Sequence, residues 1–245
     1  MVQKLFEDKN LVIVEKPAGL VVHPGAGEHP KTLVDWLFEN YPEAKNLNWP
    51  EPERAGIIHR LDKDTSGLIV LAKNPEAFQK MQELFQSKAV LKKYLGLVFG
   101  KLEKEEGEIS GFIGRDPHAR RQQISKSIHF DFQPGKVRES KTYYKTLHQY
   151  QYKNYDFTLV EATLGTGRMH QIRVHFKSTG HPVIGDQTYN IKHSRLVSKS
   201  LGLSRQFLHA YRISFKNPFD NKQVEVKSEL PEDLKIILEK LNNAK

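Results

Sequence analysis

A chain of 245 residues, 38% hydrophobic and 27% charged, is long enough to bury a real core. It has no run approaching the roughly 18 apolar residues of a membrane span. Cysteine is absent, which excludes disulfides, thiolate catalysis, zinc–cysteine sites and iron–sulfur clusters, and fits a reducing cytoplasm. Lys and Arg number 38 against 29 Asp and Glu, and the resulting +9 favours a polyanionic partner, nucleic acid above all.

The start, MVQKLFEDKN, carries acidic residues and no long apolar run, so no signal peptide is expected. Leu11–Val14 reads as a strand stopped by the turn chemistry of Lys16-Pro17-Ala18-Gly19, and Leu20–His23 as a second strand closing a hairpin. Thr32 with Asp35 three residues on forms a capping box for a short helix. A Pro-rich linker, Tyr41–Pro52, follows. Ile57-Ile58 and Leu68–Leu71 read as strands flanking the polar loop HRLDKDTSG. Asn74-Pro75 supplies an N-cap and first helical position, and Ala77, Phe78, Met81, Leu84 and Phe85 share one face of the helix that follows. Further strands are predicted at Tyr94–Phe99, Glu108–Ile113, Thr142–Gln149, Tyr155–Leu164 and Leu208–Phe215, with a terminal helix over Pro231–Leu241. Apolar residues at both alternations of 157–162 predict a strand covered on both faces. Strands outnumber helices and several adjoin with no helix between, which predicts an α+β fold with a mixed, mostly antiparallel sheet and flanking helices. No composition break divides the chain, so residues 1–245 read as a single domain.

Two polar segments carry the chemistry. The first is Gly56-Ile-Ile-His59-Arg60-Leu61-Asp62-Lys63-Asp64-Thr65-Ser66-Gly67, held between apolar strands. Its bland alternative is a polar turn closed by Asp, Thr and Ser hydrogen bonds. The second is Leu164-Gly165-Thr166-Gly167-Arg168-Met169-His170-Gln171-Ile172-Arg173-Val174-His175, where a strand ends, two glycines free the backbone and a helix is predicted to begin near Arg168. The helix start, Arg168 and Arg173 attract anions. The glycine spacing fits neither dinucleotide nor Walker patterns, and His170 and His175 lack the H-E-x-x-H arrangement of a zinc site.

The HRLDKDTSG loop, the Lys92-Lys93-Tyr94 strand and the GTGRMHQIRVH segment, in that order and spacing, resemble the RluA-type pseudouridine synthases. EKPAGLVVHPGAG and GHPVIGDQTY match the family too, so the resemblance covers roughly Leu5 to Leu234. It implies a pseudouridine synthase fold with a central RNA-binding cleft and no metal or organic cofactor. It implies an isomerase that converts uridine to pseudouridine in structured RNA, ribosomal RNA of the large subunit first and transfer RNA second. Asp62 matches the essential aspartate, Tyr94 the tyrosine that packs on the base, and Arg168 the arginine that pairs with the aspartate. Ile172 falls in the apolar wall beside the base. His59 and Arg60 fill the space of an extruded uridine or hold a phosphate, with Arg60 as a structural ion-pair partner the plainer alternative. Tyr94 likewise has a plain alternative as a core tyrosine.

Many family members carry an S4-type RNA-binding domain ahead of the catalytic one, and this chain is expected to lack it. RNA contact then falls to the basic cluster Arg115, His118, Arg120, Arg121 and Lys126, within the inserted-looking stretch His118–Lys141, and to Lys192, His193, Arg195, Lys199 and Arg205. Exposed surface loops are the alternative for both stretches. The chain is expected to be a cytoplasmic monomer with no membrane or metal partner. Two rivals are weighed. Asp62-Lys63-Asp64-Thr65 suggests a magnesium-dependent phosphohydrolase with Asp186 as the later acid, but the threonine comes one place early. An RNA-binding assembly factor that kept only the fold has no need of Asp62, Tyr94 and Arg168 together.

Overall fold

The computed structural model describes residues 1–24, 31–115, 123–126 and 137–243. In chain order the elements run β1 (Gln3–Glu7), β2 (Leu11–Lys16), α1 (Leu33–Asn40), β3 (Ser66–Ala72), α2 (Pro75–Gln86), β4 (Leu91–Phe99), β5 (Glu106–Arg115) and β6 (Gln123–Lys126). They continue with β7 (Val137–Tyr152), β8 (Tyr155–Leu164), α3 (Gln171–Ser178), α4 (Lys192–Leu201), β9 (Leu208–Lys216), β10 (Gln223–Lys227) and α5 (Glu232–Asn242). The pairs β1–β2, β2–β3, β4–β8, β8–β7, β7–β5, β5–β6 and β9–β10 are antiparallel, in keeping with the α+β reading. The chain divides into two compact units, Met1–Lys92 with Ala210–Glu229, and Lys93–His209 with Leu230–Lys245.

In the first unit β1, β2 and β3 pair in that order, with Leu11 opposite Ala72 and Lys16 opposite Gly67. Leu11, Val12, Ile13 and Val14 are all fully buried, so this strand is covered on both faces. α1 and α2 start where their caps direct. Thr32 and Asp35 exchange hydrogen bonds at the first, and the Asn74 side chain accepts from the Ala77 amide at the second. β9 and β10 add Ile213, Phe215, Val224 and Val226 to the same core.

Leu20–His23 is not the expected hairpin strand. Only Val21 makes a bridge, to Thr32, while β2 takes β1 and β3 as partners. The reason lies at Gly19, whose positive φ of 86° turns the chain so that its amide donates to the Lys63 carbonyl instead of pairing back. Ile57-Ile58 likewise reduces to a single bridge, from Ile57 to Leu71. Gly67 must be glycine on steric grounds: at φ 118° a Cβ would lie 2.3 Å from the Ala210 carbonyl oxygen.

In the second unit the strands run β4-β8-β7-β5-β6. β8 has Phe157, Thr158, Val160 and Ala162 fully buried, as its two-sided pattern predicts. α4 and α5 pack Val197, Leu201, Leu234, Ile237 and Leu241 into one core with Leu97, Phe157 and Phe207.

Candidate active site

Asp62 sits in the first unit, half-buried, at the head of a turn in which the Thr65 amide donates to its carbonyl at 3.1 Å. The loop is tied down one residue later. The Lys63 carbonyl accepts from the Gly19 amide at 2.9 Å and from the ammonium of Lys16 at 2.9 Å. Lys16 is fully buried and also donates to the Pro17 and Leu20 carbonyls at 2.9 and 3.0 Å. A buried ammonium must fill its donor positions or destabilise the fold by several kcal/mol. Here it does so by gathering the 17–20 segment and the Asp62 loop around one charge. No periodicity marked Lys16 out, because a lysine ending an apolar strand ordinarily reads as its solvated tip.

His59, expected to meet the RNA, faces the protein. Its Nε2 accepts from the Val70 amide of β3 at 3.0 Å, which places its proton on Nδ1, and its ring stacks on Phe85 with centroids 4.7 Å apart. Burial, reinforced by the charge of Lys92, pushes its pKa down to about 3, so the ring is neutral at pH 7. The Lys92 ammonium lies 4.8 Å from the Phe85 ring centre, and burial lowers its pKa to about 8. Arg60 is exposed beside it.

The second unit holds Tyr94, Arg168, Ile172 and Arg173. Tyr94 is buried in β4, opposite Ala162 of β8, next to a 2.5 Å ion pair between Lys93 and Glu161. Arg168 precedes the helix: α3 begins at Gln171, after His170 in the left-handed region at φ 56°. The Arg168 Nε donates to the Glu139 carbonyl at 3.1 Å. Burial and the nearby Arg138 charge lower its pKa, against the opposing pull of Glu139.

What holds this segment is a hydrogen-bond chain of fixed polarity. The Gln171 Oε1 accepts from the Arg168 amide at 3.0 Å and the Thr166 hydroxyl at 2.7 Å, while its Nε2 donates to the Lys141 carbonyl and the Thr142 hydroxyl. Thr142 then passes its proton toward His175 Nδ1 at 2.9 Å. His175 Nε2 donates to Ser140 at 2.8 Å, and Ser140 donates to the Gly111 carbonyl. His175 is fully buried, and burial lowers its pKa to about 4. Each group in the chain is satisfied in one orientation only, which fixes the backbone carrying Arg168.

Arg173, expected at an RNA phosphate, has its guanidinium on Asp186 at 2.6 and 2.9 Å, both side chains buried. Asp186 accepts in addition from the Thr188 and Tyr189 amides, and the Tyr189 hydroxyl meets His170 Nδ1 at 2.8 Å. The acid weighed as a phosphohydrolase ligand is therefore the anchor of the helix that follows Arg168. Ile172 is buried at 4% exposure.

Of the two basic clusters, the side chains of His118, Arg120, Arg121 and Lys126 lie outside the described residues. The second is no loop: Lys192–Leu201 is helix α4. Arg205 leaves the cluster for Asp233, at 2.6 and 2.9 Å.

A model of the RNA pseudouridylate synthase family matches residues 10–178, the span that holds Asp62, Tyr94, Arg168 and Ile172. The ribosomal large subunit pseudouridine synthase D of Nitrosomonas europaea is 39% identical over 242 residues, 98% of this chain and 65% of its own length. An uncharacterized RNA pseudouridine synthase of Bacillus subtilis is 38% identical over 236 residues, 96% of this chain and 71% of its own. The chain thus spans about two thirds of the length of these relatives. Among solved structures, human RNA pseudouridylate synthase domain containing 4 superposes with a TM-score of 0.75 at 25% identity, over 98% of this chain and 93% of that one. Among the described residues no helix is long and apolar enough to cross a membrane.

Proposed function

Because this chain belongs to the RNA pseudouridylate synthase family, we propose that it isomerises uridine to pseudouridine in structured RNA, with large-subunit ribosomal RNA as the substrate class. The observation that carries the reading is the family match across the segment containing Asp62, Tyr94 and Arg168, together with relatives 38–39% identical that bear pseudouridine synthase names. The substrate class follows the name of the Nitrosomonas europaea relative.

Breaking the N1–C1′ bond leaves oxocarbenium character on the ribose and a negative charge on uracil. In one route the Asp62 carboxylate adds to C1′ as the bond electrons depart with N1, as in retaining glycosidases. In the other it takes the C2′ proton and leaves a glycal. Both routes use the same carboxylate, and the family resemblance gives Arg168 the role of its arginine partner. The released uracil turns so that C5 bonds to C1′, expelling the Asp62 carboxylate in the first route or with Asp62 returning the proton to C2′ in the second; the C5 proton then leaves and N1 takes one up. Tyr94 holds the base by its face and is the candidate to handle that proton. The Arg168 amide is fixed by Gln171, so the guanidinium starts from a rigid base.

Tritium release from RNA labelled at uridine C5 tests the reading, with large-subunit rRNA and tRNA transcripts as substrates. Release by the wild-type protein that vanishes in Asp62→Ala, with RNA binding retained, is the expected result. Tight binding without release from either RNA would favour the assembly-factor reading.

A further inference from the structure

We propose that the exposed face of α4 formed by Lys192, Arg195 and Lys199 is a contact surface for the phosphate backbone of the RNA. This rests on the reading that the chain acts on RNA, and it names where part of that RNA binds.

The three cations stand at i, i+3 and i+7, which puts them within roughly 60° of one another on the helix surface. All three are exposed, and none makes an ion pair among the described residues. The helix KHSRLVSKSL contains no acidic residue, and its first turn holds none. Ordinary solvated helices mix both signs and place acids near the start, where the helix dipole disfavours cations. Lys199, in the last turn, suits the helix dipole, but Lys192 and Arg195 near the start accept a local cost that no acid within the helix offsets. A polyanion laid along this face offsets it.

The rest of the helix explains why the face is rigid. Ser194, Val197, Ser198 and Leu201 are buried on the opposite side, and Ser198 Oγ accepts from the Gly185 amide at 2.8 Å. That amide belongs to a glycine with no room for a side chain, since a Cβ would lie 1.9 Å from the Arg205 carbonyl oxygen. The neighbouring bases are already committed: Arg205 to Asp233, and His193 against the Tyr155 ring with centroids 5.9 Å apart. What remains pointing outward is the cationic stripe, with Leu196, 54% exposed, at its edge. An apolar side chain among cations suits a ribose or base face and offers nothing to bulk water.

The test is the affinity of the full chain for a transcribed large-subunit rRNA fragment, measured against salt concentration. The variant Lys192→Gln/Arg195→Gln/Lys199→Gln is compared with Lys31→Gln/Lys80→Gln/Lys222→Gln. The second triple removes the same charge from lysines that are each paired with a carboxylate, Glu39, Glu76 and Asp220. The α4 triple is expected to raise Kd about tenfold near 0.1 M salt and to flatten the slope of log K against log salt by about 2, the loss of three phosphate contacts. The control triple is expected to stay within about twofold. Equal shifts in both triples would assign the effect to net charge and overturn the proposal, as would an unchanged α4 triple. Tritium release by the wild-type protein on the same transcript reports separately on the function: its absence would sink the isomerase reading, while the affinity comparison would still decide the role of α4.

Discussion

His59 and His175 reach the same charge state by one means, burial, and for His59 the Lys92 charge adds to it. Both accept a hydrogen bond through one ring nitrogen, so each is useful to the fold only when neutral. An unfolded histidine protonates near pH 6.5, whereas these do so near 3 and 4. The unfolded chain therefore holds more protons in that window. The stability they support is complete above about pH 6.5 and is lost as the pH falls toward 4, by at most about 1.4 kcal/mol per pH unit for each histidine. Urea unfolding between pH 7 and 4.5 measures this. His175→Gln is expected to be less stable at pH 7 but to show about half the wild-type pH slope, and an unchanged slope would remove His175 from the account. The segments that carry Tyr94 and Asp62 stand out in the sequence by residue type and order. The commitments of His59 and Arg173 do not, since a histidine or arginine in a polar motif reads the same whether it faces solvent or a buried partner eleven or thirteen residues away in sequence.

The elements were most legible where the signal is local. The Thr32–Asp35 box, the Asn74-Pro75 cap and the two-sided pattern of β8 each fix their element by chemistry within a few residues. β1, β10 and α4 escaped because they offer few buried apolar residues: none in β1, Val224 and Val226 in β10, and Val197 and Leu201 in α4. Leu20–His23 misled for the same reason in reverse: its apolar residues suit a strand, but Lys16 and Gly19 bind that segment to the Asp62 loop. The Arg173–Asp186 pair shows what such a distant partner contributes to an element. Arg173→Met leaves a buried carboxylate with only backbone partners, and a loss of about 3–5 kcal/mol is expected. Adding Asp186→Leu is expected to restore part of it. If Arg173 contacted phosphate instead, the single variant would keep its stability and flatten the salt dependence of RNA binding, so thermal unfolding and a salt titration on one sample separate the two.

At the scale of the molecule, each unit is assembled from segments far apart in the sequence. The first takes its core from Leu11–Val14 and Leu68–Ala72, and then from Ile213, Phe215, Val224 and Val226. The second is closed by Leu234, Ile237 and Leu241 of the final helix. A fragment of residues 1–92 lacks four apolar side chains from its core, each contributing roughly 1.5–3 kcal/mol when buried. Amide proton protection is expected to be absent from that fragment, and to appear in full only when residues 210–229 are supplied. A well-dispersed, protected fragment would mean that β1–β3 and α2 suffice by themselves.

Synthesis runs in one direction, and this arrangement meets it badly. Roughly 120 residues separate Lys92 from Ala210, which a ribosome takes on the order of ten seconds to add. For that interval the Leu11–Val14 and Leu68–Ala72 strands are made but only partly covered, without Ile213, Phe215, Val224 and Val226, and strands so apolar are good templates for joining another chain. The first unit is thus expected to need shielding of its bare strands during synthesis, until residues 210–229 emerge.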